Sequence, residues 1–271
     1  MLADATQDDK KVTDASDQQE KRPSNTLNDT EEDYSEFFTL EDDDDETEYW
    51  NGYSFIDVVG KGGMGTVHEI EQHCLRRSVA VKIPNADNLH KRFLEEALVT
   101  GYLNHPNIIF VHDLLARSDN TLGMIMPLIE GSSWKSKLRE EYVQSGRLKS
   151  KQIRLHIENL IKVCEAVSYA HHRGVLHNDL KLENIMVGDF GDVVLMDWGC
   201  ATQNPNNDVE LPFHILHPKM IRRPFGSPCY MPPELANGNG SQIGPHTDTY
   251  LLGTMLYEII EGREPREGGD I

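Results

Sequence analysis

The stretch "GKGGMGTV", residues 60 to 67, lies between two runs that both read as strand, "YSFIDVV" (53 to 59) and "TVHEI" (66 to 70). Glycines let a backbone approach a phosphate closely and aim its N–H groups at it, and they also make ordinary hairpins. What decides the fold class is the chain after the glycines. A dinucleotide-binding turn of the Rossmann kind passes from strand into helix, whereas here the strand pattern resumes, which counts against the doubly wound α/β fold. The expectation is an antiparallel hairpin with a glycine-rich tip.

Three further apolar, β-branched runs follow, "SVAVKI" (78 to 83), "NIIFVHDLL" (107 to 115) and "LGMIMPLI" (122 to 129). Together with the hairpin they predict five strands separated by Gly, Asn and Asp. One segment between them, "NLHKRFLEEALVTGYL", repeats Leu89, Phe93, Ala97 and Leu98 at helical spacing, with Phe93, Ala97 and Leu98 as its buried side. After "EGSSW" the character changes. "KQIRLHIENLIKVCEAVSYAHH" aligns Ile153, Ile157, Leu160, Ile161, Cys164, Val167 and His171 along one stripe of a long helix, which opens a mainly helical region. "IMV" and "VVLMDW" read as short strands around a "GDFGD" turn, and an apolar helix is expected over 248 to 261. The fold class is therefore α+β in two parts, 49–130 and 131–271, divided near residues 130 to 133, with no internal repeat.

Charge is unevenly placed. The chain carries a formal −19, but residues 1 to 50 hold 18 Asp/Glu against 4 Lys/Arg, which is −14 of it. Residues 1–48, low in aromatics and ending in "EDDDDETE", predict an acidic disordered tail. The remainder is close to balanced and offers no basic face for nucleic acid. Four dispersed cysteines without a CxxC pair argue against a zinc site and a disulfide framework, and fit a reducing cytoplasm. The start lacks a secretory signal pattern, and the longest apolar run, "TYLLGTMLYEII", is about half of a membrane span.

Chemistry concentrates in "HNDLKLEN" (177 to 184), where a carboxylate, an ammonium and a carboxamide fall within six positions. Asp179 can accept a hydroxyl proton, Lys181 can neutralise a moving phosphoryl group, and Asn184 with Asp197 of "DWG" can hold divalent ions. Lys82 in "VAVKIP" alternates with valines, and Glu96, with Glu95 as its rival, is placed to pair with it. Each feature has an ordinary structural explanation on its own, a snorkelling lysine or a capped turn. Their order and spacing do not.

With those residues in view the chain resembles the Hanks-type protein kinases, and within them the bacterial serine/threonine branch, whose glycine loop often reads "GGMG". The resemblance covers residues 53 to 262 and includes "LNHPNI", "GSPCYMPPE" (226 to 234) and "DTYLLGTMLYEIIEG" (248 to 262). It implies a two-lobed fold that transfers the γ-phosphoryl group of ATP, with Mg²⁺ or Mn²⁺, to Ser or Thr hydroxyls of proteins. Gly60, Gly62, Gly65 and Val67 would cover the nucleotide. Ala80 and Met186 would sandwich the adenine, Met126 would act as gatekeeper, and Pro127 to Ile129, Leu128 included, would form the hinge. Lys82 and Glu96 would clamp the phosphates, Asn184 and Asp197 would bind metal, and Asp179 would be the base with Lys181 beside Ser227. The resemblance also implies that copies can pair through the small lobe.

Departures from the family pattern set further expectations. Asn178 stands where many relatives carry an Arg that grips a phosphorylated activation loop, which predicts activity without loop phosphorylation, with Thr202 and Ser227 the two Ser/Thr candidates there. Trp198 replaces a usual Phe as an apolar plug. The chain stops before the helices that supply a basic partner for Glu234, so the large lobe is expected to be incomplete. The alternative is a pseudokinase or nucleotide-binding scaffold.

Overall fold

The computed structural model describes residue 50 and residues 52–63, 65–85, 90–117 and 121–266. The expected acidic tail, Leu89 and Met64 lie outside them.

Strands β1 (Tyr53–Lys61), β2 (Gly65–Gln72), β3 (Arg77–Pro84), β4 (Asp113–Ala116) and β5 (Leu122–Pro127) form one antiparallel sheet in the order β1-β2-β3-β5-β4. The glycine-rich segment is the hairpin between β1 and β2, as the alternation predicts. At its far end only glycine fits: a Cβ on Gly65 would stand 2.5 Å from the Ile83 carbonyl oxygen. Helix α1 (His90–Tyr102) buries Phe93 and Ala97 against Ala80, Met124 and Met126 of the sheet. Leu98, expected on that buried side, is instead exposed, because the inward face of α1 is made by Phe93, Leu94, Glu96, Ala97, Val99 and Thr100.

Of the run 107 to 115, expected as one strand, only 113–115 belong to a strand of the sheet. Its apolar beginning leaves the sheet to run beside β9 (Val193–Leu195), where the Ile109 N–H donates to the Leu195 carbonyl at 2.9 Å and the Leu195 N–H to Asn107 at 2.8 Å. Ile108 and Ile109 are buried there, so β-branched composition is satisfied by a second sheet. That sheet has the order β6-β8-β9, from β6 (Gly131–Ser133), β8 (Ile185–Gly188) and β9, and the "GDFGD" turn joins its last two strands as expected.

The helical region centres on α3 (Ser150–His172), against which α2 (Trp134–Ser145) and α5 (Pro245–Glu261) are placed. Helix α2 was not anticipated. Its signals were Ser133, whose hydroxyl accepts the Ser136 N–H, and Gly146 closing it at φ 68°. The expected stripe on α3 is corrected: Ile161 and Cys164 face outward, while Leu160, Val163, Ala166, Val167 and Ala170 are buried. Two short strands, β7 (Val175–Leu176) and β10 (Thr202–Gln203), pair antiparallel, and α4 (Pro233–Ala236) follows the "GSPCYMP" segment. No helix among the described residues is long and apolar enough to cross a membrane.

Candidate active site

Strand β3 delivers Lys82 from between Val81 and Ile83, and α1 delivers Glu96 from its buried face; the two meet with Nζ to Oε1 at 2.5 Å. Glu96, not Glu95, is the partner. Lys82 Nζ also lies 3.7 Å from Asp197. Burial alone would lower the lysine's pKa, but the carboxylates of Glu96 and Asp197 outweigh it and hold the ammonium above its usual value. The same contest runs the other way at Asp197. Burial would raise its pKa, yet Lys82, His177, Lys181 and the Gly199 N–H keep it below the ordinary carboxylate range.

Four lines of chain supply the walls of one cavity of about 570 Å³. Gly60, Gly62, Gly65 and Val67 come from the hairpin, Ala80 and Lys82 from β3, Met126 and Leu128 from the end of β5, and Met186 from β8. Glu96, Asn184 and Asp197 complete its lining. Every residue the sequence assigned to nucleotide or metal lines this space. The donor set also suits a hard divalent ion. The Asn184 carboxamide gives its N–H groups to the Asp179 carbonyl (2.9 Å) and carboxylate (3.3 Å), leaving its oxygen as an acceptor near the Asp197 carboxylate in the same wall. Two oxygen donors would leave positions for water and phosphate, as a hard ion such as Mg²⁺ prefers.

Asp179 and Lys181 stand beside the cavity. Lys181 Nζ donates to Asp179 Oδ2 at 2.8 Å and to Ser227 Oγ at 2.6 Å, so the catalytic-type loop and the "GSPCYMPPE" segment are tied by one ammonium. Gly226 makes that approach possible: at φ 100°, a Cβ would stand 2.9 Å from the Asn178 carbonyl oxygen.

The family to which this arrangement belongs is decided by comparison. The protein kinase domain matches residues 53–270. The chain belongs to the protein kinase domain family. Similar proteins include the serine/threonine-protein kinase PknD of Protochlamydia amoebophila, 35% identical over 237 residues, which is 81% of this chain and 24% of that protein. The PknD of Chlamydia caviae is 33% identical over 225 residues, 77% of this chain and 24% of the relative. The chain therefore spans about a quarter of the length of these relatives.

Within the kinase domain the loop at 177–179 is clamped from below. The Asp248 carboxylate of α5, fully buried, accepts the His177 N–H at 2.9 Å, the Asn178 N–H at 2.7 Å and a contact from the His171 ring at 2.7 Å. Asn178 itself has φ 62°, a conformation Asn tolerates better than most residues. Its amide N–H groups reach the Cys200 carbonyl (3.1 Å) and Thr202 Oγ1 (2.9 Å). Thr202 is fully buried, and Ser227 is engaged by Lys181, so both hydroxyls considered for loop phosphorylation are already occupied.

Trp198 is buried with its ring 4.6 Å from His177, and its indole nitrogen has no hydrogen-bond partner among the described residues, a cost of about 1–3 kcal/mol that Phe would not carry. Sequence reasoning missed two contributors. Arg92 of α1 donates to the Gly199 carbonyl at 3.0 Å and so ties the helix to the "DWG" turn. Cys200 beside it is pushed up to about 12 by burial and by Asp179, which keeps its thiol protonated. Glu234, expected to lack its arginine, accepts from the Thr247 hydroxyl at 2.8 Å and lies 3.8 Å from the His246 ring.

Proposed function

We propose that this domain is a serine/threonine protein kinase, transferring the γ-phosphoryl group of ATP to a Ser or Thr hydroxyl of a protein substrate in the cytoplasm. The observation that carries the reading is Asp179 joined through Lys181 to Ser227 and bonded by Asn184, beside a cavity lined by Lys82, Asn184 and Asp197. The printed names of the relatives agree with it.

In this reading Asp179 accepts the proton of the acceptor hydroxyl as its oxygen bonds to phosphorus and the bond to the ADP oxygen breaks. Lys181 holds Asp179 in place and offsets charge building on the transferred group. Lys82, fixed by Glu96, holds the phosphates in line, and the glycine hairpin covers them with backbone N–H groups. Asn184 and Asp197 would bind Mg²⁺ or Mn²⁺, which supplies neutralisation of phosphate charge. Such catalysis is positioning plus electrostatics. The small lobe would be residues 49–130 and the large lobe 131–271, and pairing of copies through the small lobe is part of the same proposal. Asn178 takes over, without charge, the task of fixing the start of the activation segment, so activity does not depend on loop phosphorylation.

Transfer of the γ-phosphate to Ser/Thr of a generic basic protein, measured for the wild type and Asp179→Ala, tests the reading. Signal in the first and its loss in the second is expected; equal signal from both would overturn it. Phosphatase treatment is expected to leave the wild-type rate unchanged.

A further inference from the structure

A second cavity, of about 460 Å³, lies between α2, α3 and the turn joining β8 to β9, and shares no lining residue with the nucleotide cleft. Strand alternation separates the two: Met186 lines the cleft and Val187, next along β8, lines this space. Asn159 of α3 lines the cavity. It is 5% exposed and its side chain makes no hydrogen bond among the described residues, so its carboxamide lines the cavity with two donors and an acceptor unused.

The wall beside it is built and polarised. The Trp134 indole can only donate, and it donates to His156 Nδ1 at 2.8 Å; the ring proton therefore sits on Nε2, which points at Glu141 Oε2 at 3.1 Å. Gln152 donates to the same oxygen at 2.9 Å, leaving Glu141 Oε1 unengaged among the described residues. Around the opening, Lys137 is paired with Asp189 at 3.4 Å, and Glu140 is a further carboxylate. Among the lining residues three carboxylates thus accompany one ammonium, and the Lys162 ammonium outside the lining donates to the Gly191 carbonyl at 2.9 Å, which leaves negative charge in excess. Gly188 and Gly191 leave one wall without side chains, Leu155 gives an apolar surface, and Phe190, on the same turn, is 94% exposed.

We infer that this cavity binds a guanidinium group, that of an arginine side chain presented by a protein partner. A planar fork of five N–H donors can use the Asn159 carbonyl and the unengaged Glu141 oxygen together, which a point ammonium does less well. The excess negative charge favours the cation. The volume exceeds one side chain, and the exposed Leu155 and Phe190 offer contact to the residues flanking it, which a free small guanidine lacks.

The test is direct binding to the full chain, read by fluorescence anisotropy and independent of phosphate transfer. The probe is a labelled peptide, Gly-Leu-Gly-Arg-Gly-Leu-Gly, compared with its citrulline counterpart and with N-acetylarginine amide. The arginine peptide is expected to bind at least tenfold tighter than the citrulline peptide, and tenfold tighter than N-acetylarginine amide as competitor. Asn159→Leu and Glu141→Gln should each weaken it about tenfold, and Glu140→Gln, on an exposed position that does not disturb folding, about threefold. Phosphate transfer to an arginine-free peptide should be unchanged in all three. Equal binding of arginine and citrulline peptides, or binding indifferent to Glu140→Gln and Glu141→Gln, would overturn the site. N-Acetylarginine amide binding as tightly as the peptide would overturn the assignment to a protein partner.

Discussion

Lys82 and Lys135 both carry an ammonium to buried glutamate, one in the cleft and one in the large lobe, and they do so for different ends. Lys82 meets a single carboxylate, Glu96, with Asp197 at 3.7 Å, and its pair opens onto the nucleotide cavity. Lys135 of α2 gathers Glu183 of the catalytic-type loop, Glu264 beyond α5, and Glu258 of α5 at 3.5 Å, together with the Tyr230 hydroxyl at 3.1 Å. Burial and the surrounding carboxylates push that tyrosine's pKa up, so its hydroxyl stays a donor to Glu258 at 2.8 Å. The first pair holds a charge ready for a ligand; the second spends its charges on joining four segments of chain. In the proposed mechanism the same two side-chain types are therefore catalytic equipment in one place, and architecture in the other.

Substitution separates the two. Lys82→Met should lower phosphate transfer on the order of 10²–10³-fold, the scale of losing one preorganised donor. Its effect on folding is limited, because burial already raises the pKa of Glu96 and lets it take up a proton. Lys135→Met should do the opposite. It strands Glu258 among Glu183 and Glu264, and should destabilise by about 2 kcal/mol once the partial exposure of the cluster is discounted, with transfer changed only a few-fold. Thermal unfolding beside an initial-rate assay checks both; a Lys135→Met protein as stable as wild type would erase the distinction.

A smaller effect sharpens it with pH. Both lysines have folded pKa values above 10.5, each against the opposing effect of burial. Their contributions are thus fully present below pH 10.5 and lost as the pH rises through the folded values. The thermal midpoint should fall on the alkaline side of that point in the wild type, and less steeply in Lys135→Met, because one of the alkaline-sensitive linkages, which also include Tyr230 and Cys200, is gone. Parallel alkaline limbs in the two proteins would remove Lys135 from the account.

How much of this was legible in the sequence follows from where partners lie. Lys82 and Glu96 are 14 residues apart on a strand and a helix whose patterns were readable, and Glu96 was preferred to Glu95 on helical geometry. Lys135 was invisible because Glu183, Glu258 and Glu264 come from distant places that no local period links. Helix α2 was missed for a related reason: only Trp134 and Leu138 of its twelve residues are buried, too few to make a stripe. On α3 the apolar reading favoured Ile161 and Cys164 over Ala166 and Ala170. Close packing rewards small side chains as well as oily ones. The 107 to 115 run reads as one strand, but only 113–115 lie in β4, while Ile108 bridges to Leu195 of another sheet.

The Asp248 carboxylate has a further consequence, in the order of assembly. It fixes His171, His177 and Asn178 across separations of 77, 71 and 70 residues, so the backbone that aims Asp179 waits on non-local contacts. Non-local contacts of this kind close late, because loop entropy is spent before they form. In pulse-labelled hydrogen exchange, protection at His177 and Asn178 should rise together with α5 and after the β1–β2 hairpin. During synthesis the chain would complete its cleft walls first, and acquire the loop that makes them useful only when α5 has emerged.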